Sequence, residues 1–471
     1  MSGRRLALLG VCLLAVAGTT AVVATAASAL PNVDVSVLAG NDAEDAIAVN
    51  PTNSNNVVAM AIPLAQDNRL VEGVSFDGGQ TWTRQLIGGS DGLGAICCDE
   101  QFAWDRFGNL WMTYLLETNG NVPVAVSKDG GLTWTKVAEI VPTTVTGNAK
   151  PKGRPRGQVH LAKSGDQPSI AVGPNSVWVS YTSIPSGEVQ AFGASVSGLG
   201  SFGSFSALPT VPTSNGQGDF GDTAVGPNGE VVVTYQDKTG GEVGANIYTA
   251  LDPDGLGPAG FGMPRLVAKT KVGGFDFIPA QPDRSVDAEA NLAWDCSGGL
   301  HNGRLYAVWT QEVKNESNDM DIEVQYSDDT GATWSPAVRV NDDHTANSQF
   351  MPSIAVDQTT GNVALSWYDA RNDLGTGGTG DTDGLPNTDV QIWATYSTDG
   401  GASFVPNFPV SAGTSNAVAA QTGFDYGDYT HAAFQSGAFY PAWSDNSNSA
   451  GGNPDGTLHQ LDLYTAKVTI R

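Results

Sequence analysis

Two sets of carboxylates dominate the polar residues of this chain, and they imply different chemistry. The first set flanks short apolar runs. Glu44 and Asp45, Asp99 and Glu100, Asp166, Asp219, Asp287 and Glu289, Gln349 and Asp428 precede such runs. Asp67, Glu117, Asp237, Glu312, Asp369 and Asp445 follow them. Arg284, Arg371, Tyr368, Tyr426 and Tyr429 fall in the same segments. Carboxylates mixed with aromatic rings and a few arginines suit a sugar or cation site, and a pair of carboxylates supplies the acid and the base of glycoside hydrolysis. The alternative reading of these acids is a solvated rim.

The second set sits in four copies of one octapeptide, Ser-x-Asp-x-Gly-x-Thr-Trp. They begin at Ser75, Ser127, Ser327 and Ser397 and carry Asp77, Asp129, Asp329 and Asp399. Each copy lies between two β-type runs, as a hairpin turn does. The Asp side chain can accept from backbone N–H groups further along and close the turn. The Gly provides a positive φ, and the terminal Trp or Phe offers a large ring for burial. These four acids therefore read as structural.

Stepping between the turns is a longer repeat. Its alanine anchors are Ala48, Ala103, Ala171, Ala224, Ala293, Ala355 and Ala433, each followed by a tight turn and a strand ending in Met60, Tyr114, Tyr181, Tyr235, Trp309, Trp367 or Trp443. Decayed octapeptides follow at Ser195–Phe202 and around Asp252. Strand a, strand b, strand c, turn and strand d make one four-stranded blade. The seventh repeat stops at strand c, and residues 33–37 are placed to supply its missing strand d. The expectation is an all-β, seven-bladed β-propeller of antiparallel four-stranded blades closed by an N-terminal strand, with six or eight blades as alternatives. The a–b and c–d turns share one face. The d–a and b–c connections share the other, where long loops on a rigid scaffold carry function.

Composition agrees with this reading. Among 471 residues there are 58 Gly and only 15% charged residues, as in a loop-rich β protein. Arg4 and Arg5 precede an apolar stretch ending in Ala27-Ser28-Ala29, which reads as a signal peptide over 1–29 with the propeller over 30–471. A retained anchor is the alternative. The expected location is secreted and extracellular, with no transmembrane anchor in the mature chain and a monomeric state. The net charge of −26 argues against nucleic acid as a partner. Cys98 and Cys296 fall on opposite faces of the expected ring, so a vicinal Cys97–Cys98 bridge or reduced thiols is expected. In the loop 369–389, Asp381-Thr-Asp383-Gly with Asp389 resembles part of a Ca²⁺ loop, and Ca²⁺ is carried as a possible ligand.

The octapeptides resemble the Asp-box, or BNR, repeats of the sialidase superfamily, over nearly the whole chain after residue 29. Trp367-Tyr-Asp369-Ala-Arg371 and Gly427-Asp428-Tyr429 resemble segments of secreted bacterial Asp-box propellers. The resemblance implies an arginine triad, a Tyr nucleophile with a Glu partner, and an Asp acid/base. It would make Asp67 the acid/base, Glu312 the base for Tyr426 or Tyr429, and Arg284, Arg371, Asp369, Asp428 and Tyr368 substrate-binding residues. The first arginine of such a triad belongs in an Arg-Ile-Pro phrase, but here the segment reads Asp42-Ala-Glu44-Asp45-Ala-Ile. The expected function is a sialidase-like glycoside hydrolase of non-standard site, acting on a glycan or polysaccharide. The alternatives are a non-catalytic propeller binding glycan, protein or calcium, and a polysaccharide lyase using His431 beside Tyr429.

Overall fold

In each blade the strand with the most continuous apolar run lies second. Leu110–Leu116 reads LWMTYLL and Val363–Asp369 reads VALSWYD, and every residue of both is buried. Such runs suit strands covered on both faces by neighbouring blades. The fourth strands are polar and more exposed, as in Thr83–Ile87 and Thr135–Ile140, so they form the rim. A computed structural model of the chain describes residues 28–29, 31–64, 68–142, 164–184, 186–206, 210–237 and 241–471. The expected leader over 1–29 falls almost wholly outside them.

Seven antiparallel sheets stand around a central channel. Blades 1 to 6 start with inner strands Asp42–Val49, Ile96–Trp104, Gly165–Val172, Thr223–Val225, Asn291–Trp294 and Gln349–Val356, and each runs outwards in chain order through four strands. Blade 7 takes Ala432–Gln435, Ala438–Asp445 and Asp462–Thr465 from the C-terminal end and Val33–Asp34 from the N-terminal end. Val33 pairs with Thr465 and Asp34 with Tyr464, so the strand expected to close the ring does so. A short Val468–Thr469 strand returns to Ala438–Phe439. Met60, Tyr114, Tyr181, Tyr235, Trp309, Trp367 and Trp443, the expected ends of the second strands, are all at most 2% exposed. They pack between sheets, where each large ring contributes about 1.5–3 kcal/mol.

The four octapeptides are the c–d turns of blades 1, 2, 5 and 6. Asp77 accepts from the Thr81 amide at 2.9 Å and the Thr81 hydroxyl at 2.6 Å, while the Ser75 hydroxyl accepts from Gly79 N at 2.9 Å. Asp129, Asp329 and Asp399 repeat the arrangement with Thr133, Thr333 and Ser403. The Thr81 hydroxyl and amide hold Asp77 down at about 2. These acids are spent on their own turns.

Candidate active site

The inner strands share a defect that builds the site. Four residues before the alanine anchors lie Glu44, Asp99, Gln167, Phe220, Glu289 and Met351, with φ of 59°, 59°, 41°, 54°, 37° and 52°. None is glycine, and each such left-handed residue costs of order 1 kcal/mol or more. The pairing register shifts at the same place in blades 1, 2, 3 and 6, between Ala43 and Ala46, Cys98 and Gln101, Asp166 and Ser169, and Phe350 and Ser353. These are β-bulges, which re-aim side chains at the rims of closed sheets. The seventh equivalent position, without positive φ, is Tyr429.

The bulges gather acids at the channel mouth on the face of the d–a and b–c loops. Glu44, Asp45, Asp99, Glu100, Asp287 and Glu289 are all less than 9% exposed. Both carboxylate oxygens of Glu100, and one each of Glu44, Asp45, Asp287 and Glu289, are buried without a hydrogen-bond partner. Burial pushes Asp99 up to about 7 and Glu44, Glu100, Asp287 and Glu289 well above the ordinary carboxylate range, with neighbouring acids adding to the effect. Burial thus favours the protonated form of these groups. Tyr429 stands among them, 2% exposed, with its hydroxyl unpartnered and its ionisation suppressed by burial and by Glu44 and Asp99.

Among the described residues, one cation reaches this group. Between blades 4 and 5 the chain inserts a hairpin, Asp276–Ile278 with Gln281–Val286, and Arg284 on it extends to the mouth. Its Nε donates to Asp428 Oδ1 at 2.5 Å, its Nη2 donates to Asp428 Oδ2, and Glu44 Oε1 lies 3.6 Å from Nη2. The guanidinium also stacks 4.4 Å from the Phe424 ring. Asp425 fixes the hairpin by accepting the Asp283 and Arg284 amides, both at 2.8 Å. Gln281 donates to Gly427 O at 3.0 Å. Gly427 itself is required, because a Cβ there would lie 2.3 Å from Glu44 Cγ and its φ is 86°. The arrangement puts Asp428, ion-paired to Arg284, beside buried carboxyls that are pushed above their ordinary range.

The remaining residues expected at a site are distributed elsewhere. Tyr368 and Tyr426 stack at 4.4 Å between blades 6 and 7, both at most 1% exposed. Tyr426 donates to Ser415 Oγ at 3.1 Å, and Tyr368 accepts from Ser444 N at 2.8 Å. Burial raises both phenols well above their ordinary value. Asp369 and Arg371 form a knot in blade 6. Arg371 Nε donates to Asp369 Oδ2 at 2.9 Å, its Nη1 pairs with Asp342 at 2.7 Å, and its plane lies 4.1 Å from the Trp393 ring. Glu312, wholly buried, accepts the amides of Glu316, Ser317 and Asn318 and so closes its own b–c loop. Asp67 lies outside the described residues. In the Gly-rich loop, Asp381 and Asp389 meet Asp373, with ligand oxygens within 4.8 Å of one another. Asp383 turns instead to Asn416 Nδ2 at 3.1 Å. The carboxylates of the trio accept amides of their own loop, among them Gly384, Thr382 and Thr388.

Cys97 and Cys98 are joined in a vicinal disulfide immediately before Asp99, and Cys296 is free. Cys296 lines a cavity of about 670 Å³ at the opposite end of the channel, with Ile47, Phe102, Trp104, Leu292 and Phe434. Among the described residues, its lining includes Arg106, Gln358 and Thr359 but no carboxylate, so the candidate acid–base chemistry is assigned to the mouth.

No family model matches the chain, and no curated protein matches it. Solved structures that it resembles include the Penicillium chrysogenum alpha-L-arabinanase complexed with arabinobiose, at 12% identity over 73% of this chain and 94% of that one, with a TM-score of 0.46. Others are a Hadza microbial sialidase, at 12% identity over 88% and 73% with a TM-score of 0.43, and the phage phi92 endosialidase, at 10% identity over 94% and 69% with a TM-score of 0.46.

Proposed function

We propose that the protein is a glycan-acting propeller, a glycoside hydrolase on a sialidase-like scaffold with a non-standard site at the acidic mouth. One observation carries this reading. Asp428, ion-paired to Arg284, stands against Glu44, whose carboxyl burial pushes well above its ordinary range and which lies 3.6 Å from the same guanidinium. Glycoside hydrolysis uses such a pair, one carboxyl protonating the leaving glycosidic oxygen and one carboxylate attacking the anomeric carbon or activating the water that does. In this assignment Glu44 is the acid and Asp428 the carboxylate, with Asp99 poised near neutrality to exchange a proton. Asp67 remains a further acid/base candidate.

The substrate class follows from the charges. Arg284 is already committed to Asp428 and Glu44, and the surrounding groups are acids. Among the described residues, an anionic sugar such as a sialoside would find no free guanidinium there and would face carboxylates. A neutral glycan fits better, because protonated carboxyls donate to its hydroxyls and ionised ones accept from them. The apolar leader and the net charge of −26 support a location outside the cell.

A second reading rests on a specific observation: Glu312, Tyr426 and Arg371 are fully engaged in holding their own loops and blades. It makes the protein a non-catalytic glycan-binding propeller. The purified protein should be assayed on neutral aryl glycosides and polysaccharides alongside sialosides. Turnover of neutral substrates that disappears in folded Glu44→Gln and Asp428→Asn variants supports the hydrolase. Binding without turnover supports the second reading. Turnover confined to sialosides would sink the neutral-glycan assignment.

A further inference from the structure

The far end of the channel, opposite the mouth, has walls of a different chemistry. The inner strands finish there, and their last residues surround the cavity of about 670 Å³, inside the range of about 300–1,000 Å³ typical of small-molecule sites. Phe102 and Trp104 of blade 2, Trp294 of blade 5 and Phe434 of blade 7 bring rings to it, with Ile47 and Leu292 between them. Rings from three blades favour a flat aromatic guest, which they can meet face-on or edge-on.

Most polar groups in this wall are engaged with the protein. Gln358 accepts from Cys296 N and donates to Trp294 O, both at 2.8 Å. Trp294 Nε1 donates to Gly303 O at 2.9 Å, the Thr359 hydroxyl donates to Asp357 at 2.7 Å, and the Thr223 hydroxyl pairs with Ser180. Two donors differ. Trp104 is 6% exposed and its Nε1 is buried with no hydrogen-bond partner, which folded proteins rarely tolerate. Arg106, exposed two residues further on, donates from Nη2 to Asn175 Oδ1 at 2.7 Å and lies 4.8 Å from the Phe107 ring. Both of those partners are neutral. Arg284, Arg304, Arg339 and Arg371 meet carboxylates, whereas Arg106 meets none among the described residues. Asp105, its neighbour in sequence, is turned to its own blade, accepting from Phe107 N at 2.9 Å, Asn109 N at 3.0 Å and Trp111 Nε1 at 2.8 Å.

We propose that this end of the channel binds an aromatic monocarboxylate. Its ring lies among Phe102, Trp294 and Phe434, and its carboxylate accepts from the Arg106 guanidinium, with the Trp104 indole N–H as a second donor. Charge complementarity selects the anion. The chain carries a net charge of −26, yet the cavity lining offers a guanidinium and, among the described residues, no carboxylate. Guanidinium and carboxylate form the strong two-pronged bond. A neutral guest would use the rings and leave both donors unanswered. A sugar fits less well, because the remaining polar groups of the wall are already engaged. The site does not rest on the hydrolase reading, and the acidic mouth would repel the same ligand.

The probe is 2-naphthoate, titrated calorimetrically into the purified protein. It should bind at one site per chain, about tenfold more tightly than 2-naphthol. Arg106→Gln changes an exposed turn residue and should weaken naphthoate about tenfold while leaving naphthol unchanged. Trp104→Phe should weaken naphthoate several-fold. Location is read at Cys296, a half-buried free thiol in the wall: saturating naphthoate should slow its alkylation by iodoacetamide several-fold, followed by mass mapping. Glu44→Gln and Asp428→Asn at the mouth should leave naphthoate affinity unchanged. The proposal is overturned if naphthoate does not bind, or if Arg106→Gln has no effect on it. It is equally overturned if Cys296 is alkylated at the same rate with and without naphthoate, or if the mouth variants abolish binding. Decanoate binding more tightly than naphthoate would overturn the aromatic assignment.

Discussion

The acids of the c–d turns and the acids of the channel mouth are the same residue types in opposite states. Asp77, half-buried, and Asp329, exposed, receive amides and hydroxyls from their own turns and are held below the ordinary carboxylate range by those bonds. Glu44, Glu100 and Glu289 are buried, retain unpartnered oxygens, and are pushed above that range. A carboxylate satisfied by its own turn can stabilise that turn but has no proton to give and no oxygen to spare. An unsatisfied buried carboxyl costs stability and keeps its reactivity, which is the usual bargain at a functional site. Prominence in the sequence and capacity for chemistry therefore lie on different faces of the ring.

The largest test of this contrast is catalytic. Glu44→Gln and Asp428→Asn should each lower kcat by about 10²–10⁴-fold, the range for removing a general acid or its partner. Asp329→Asn on the opposite face should leave kcat within about twofold. Equal losses on both faces would erase the distinction. Next comes stability. Arg284→Ala leaves Asp428 and Glu44 without their cation and should cost about 3–5 kcal/mol in denaturant unfolding. Arg284→Lys should recover part of that loss, since one ammonium replaces the charge but not the two-pronged geometry. A null result for Arg284→Ala would mean that the mouth is wetter than its burial indicates.

Much of the fold was legible because the repeat is written in residues that act locally. The Ser-x-Asp-x-Gly-x-Thr-Trp turns satisfy themselves, the alanine anchors and the aromatic ends of second strands are fixed by burial, and counting them gives seven blades and a borrowed strand. The site was legible only in outline. Glu44, Asp99 and Glu289 stood out among the acids preceding inner strands, but what aims them is a bulge at one repeated position, four residues before the anchor. Superposing the repeats on their alanines would have revealed that column as Glu, Asp, Gln, Phe, Glu, Met and Tyr. Glu312, Tyr426 and Arg371 carry chemically versatile side chains, yet their partners come from loop geometry that spacing alone does not encode. Arg284 acts from a hairpin outside the repeat, so no periodicity pointed to its partner Asp428.

The smallest effect, and the one that sets the two groups against each other most directly, is the pH dependence of stability. Asp99 is raised from an ordinary value near 3.8 to about 7, so the native state holds its proton longer than the unfolded chain does. Its contribution is fully present below about pH 4 and is lost as pH rises through 7. Asp77, lowered to about 2, contributes above about pH 4 and loses that contribution as pH falls through 2. Urea unfolding of wild type, Asp99→Asn and Asp77→Asn between pH 2 and 9 separates them. Asp99→Asn should flatten the decline between pH 4 and 7 and leave the acid limb unchanged. Asp77→Asn should flatten the acid limb alone, by a smaller amount because the group is partly exposed and screened by solvent. If Asp99→Asn altered only the acid limb, the mouth would be ionised like the turns, and the proton that the proposed hydrolase requires would have to come from another group.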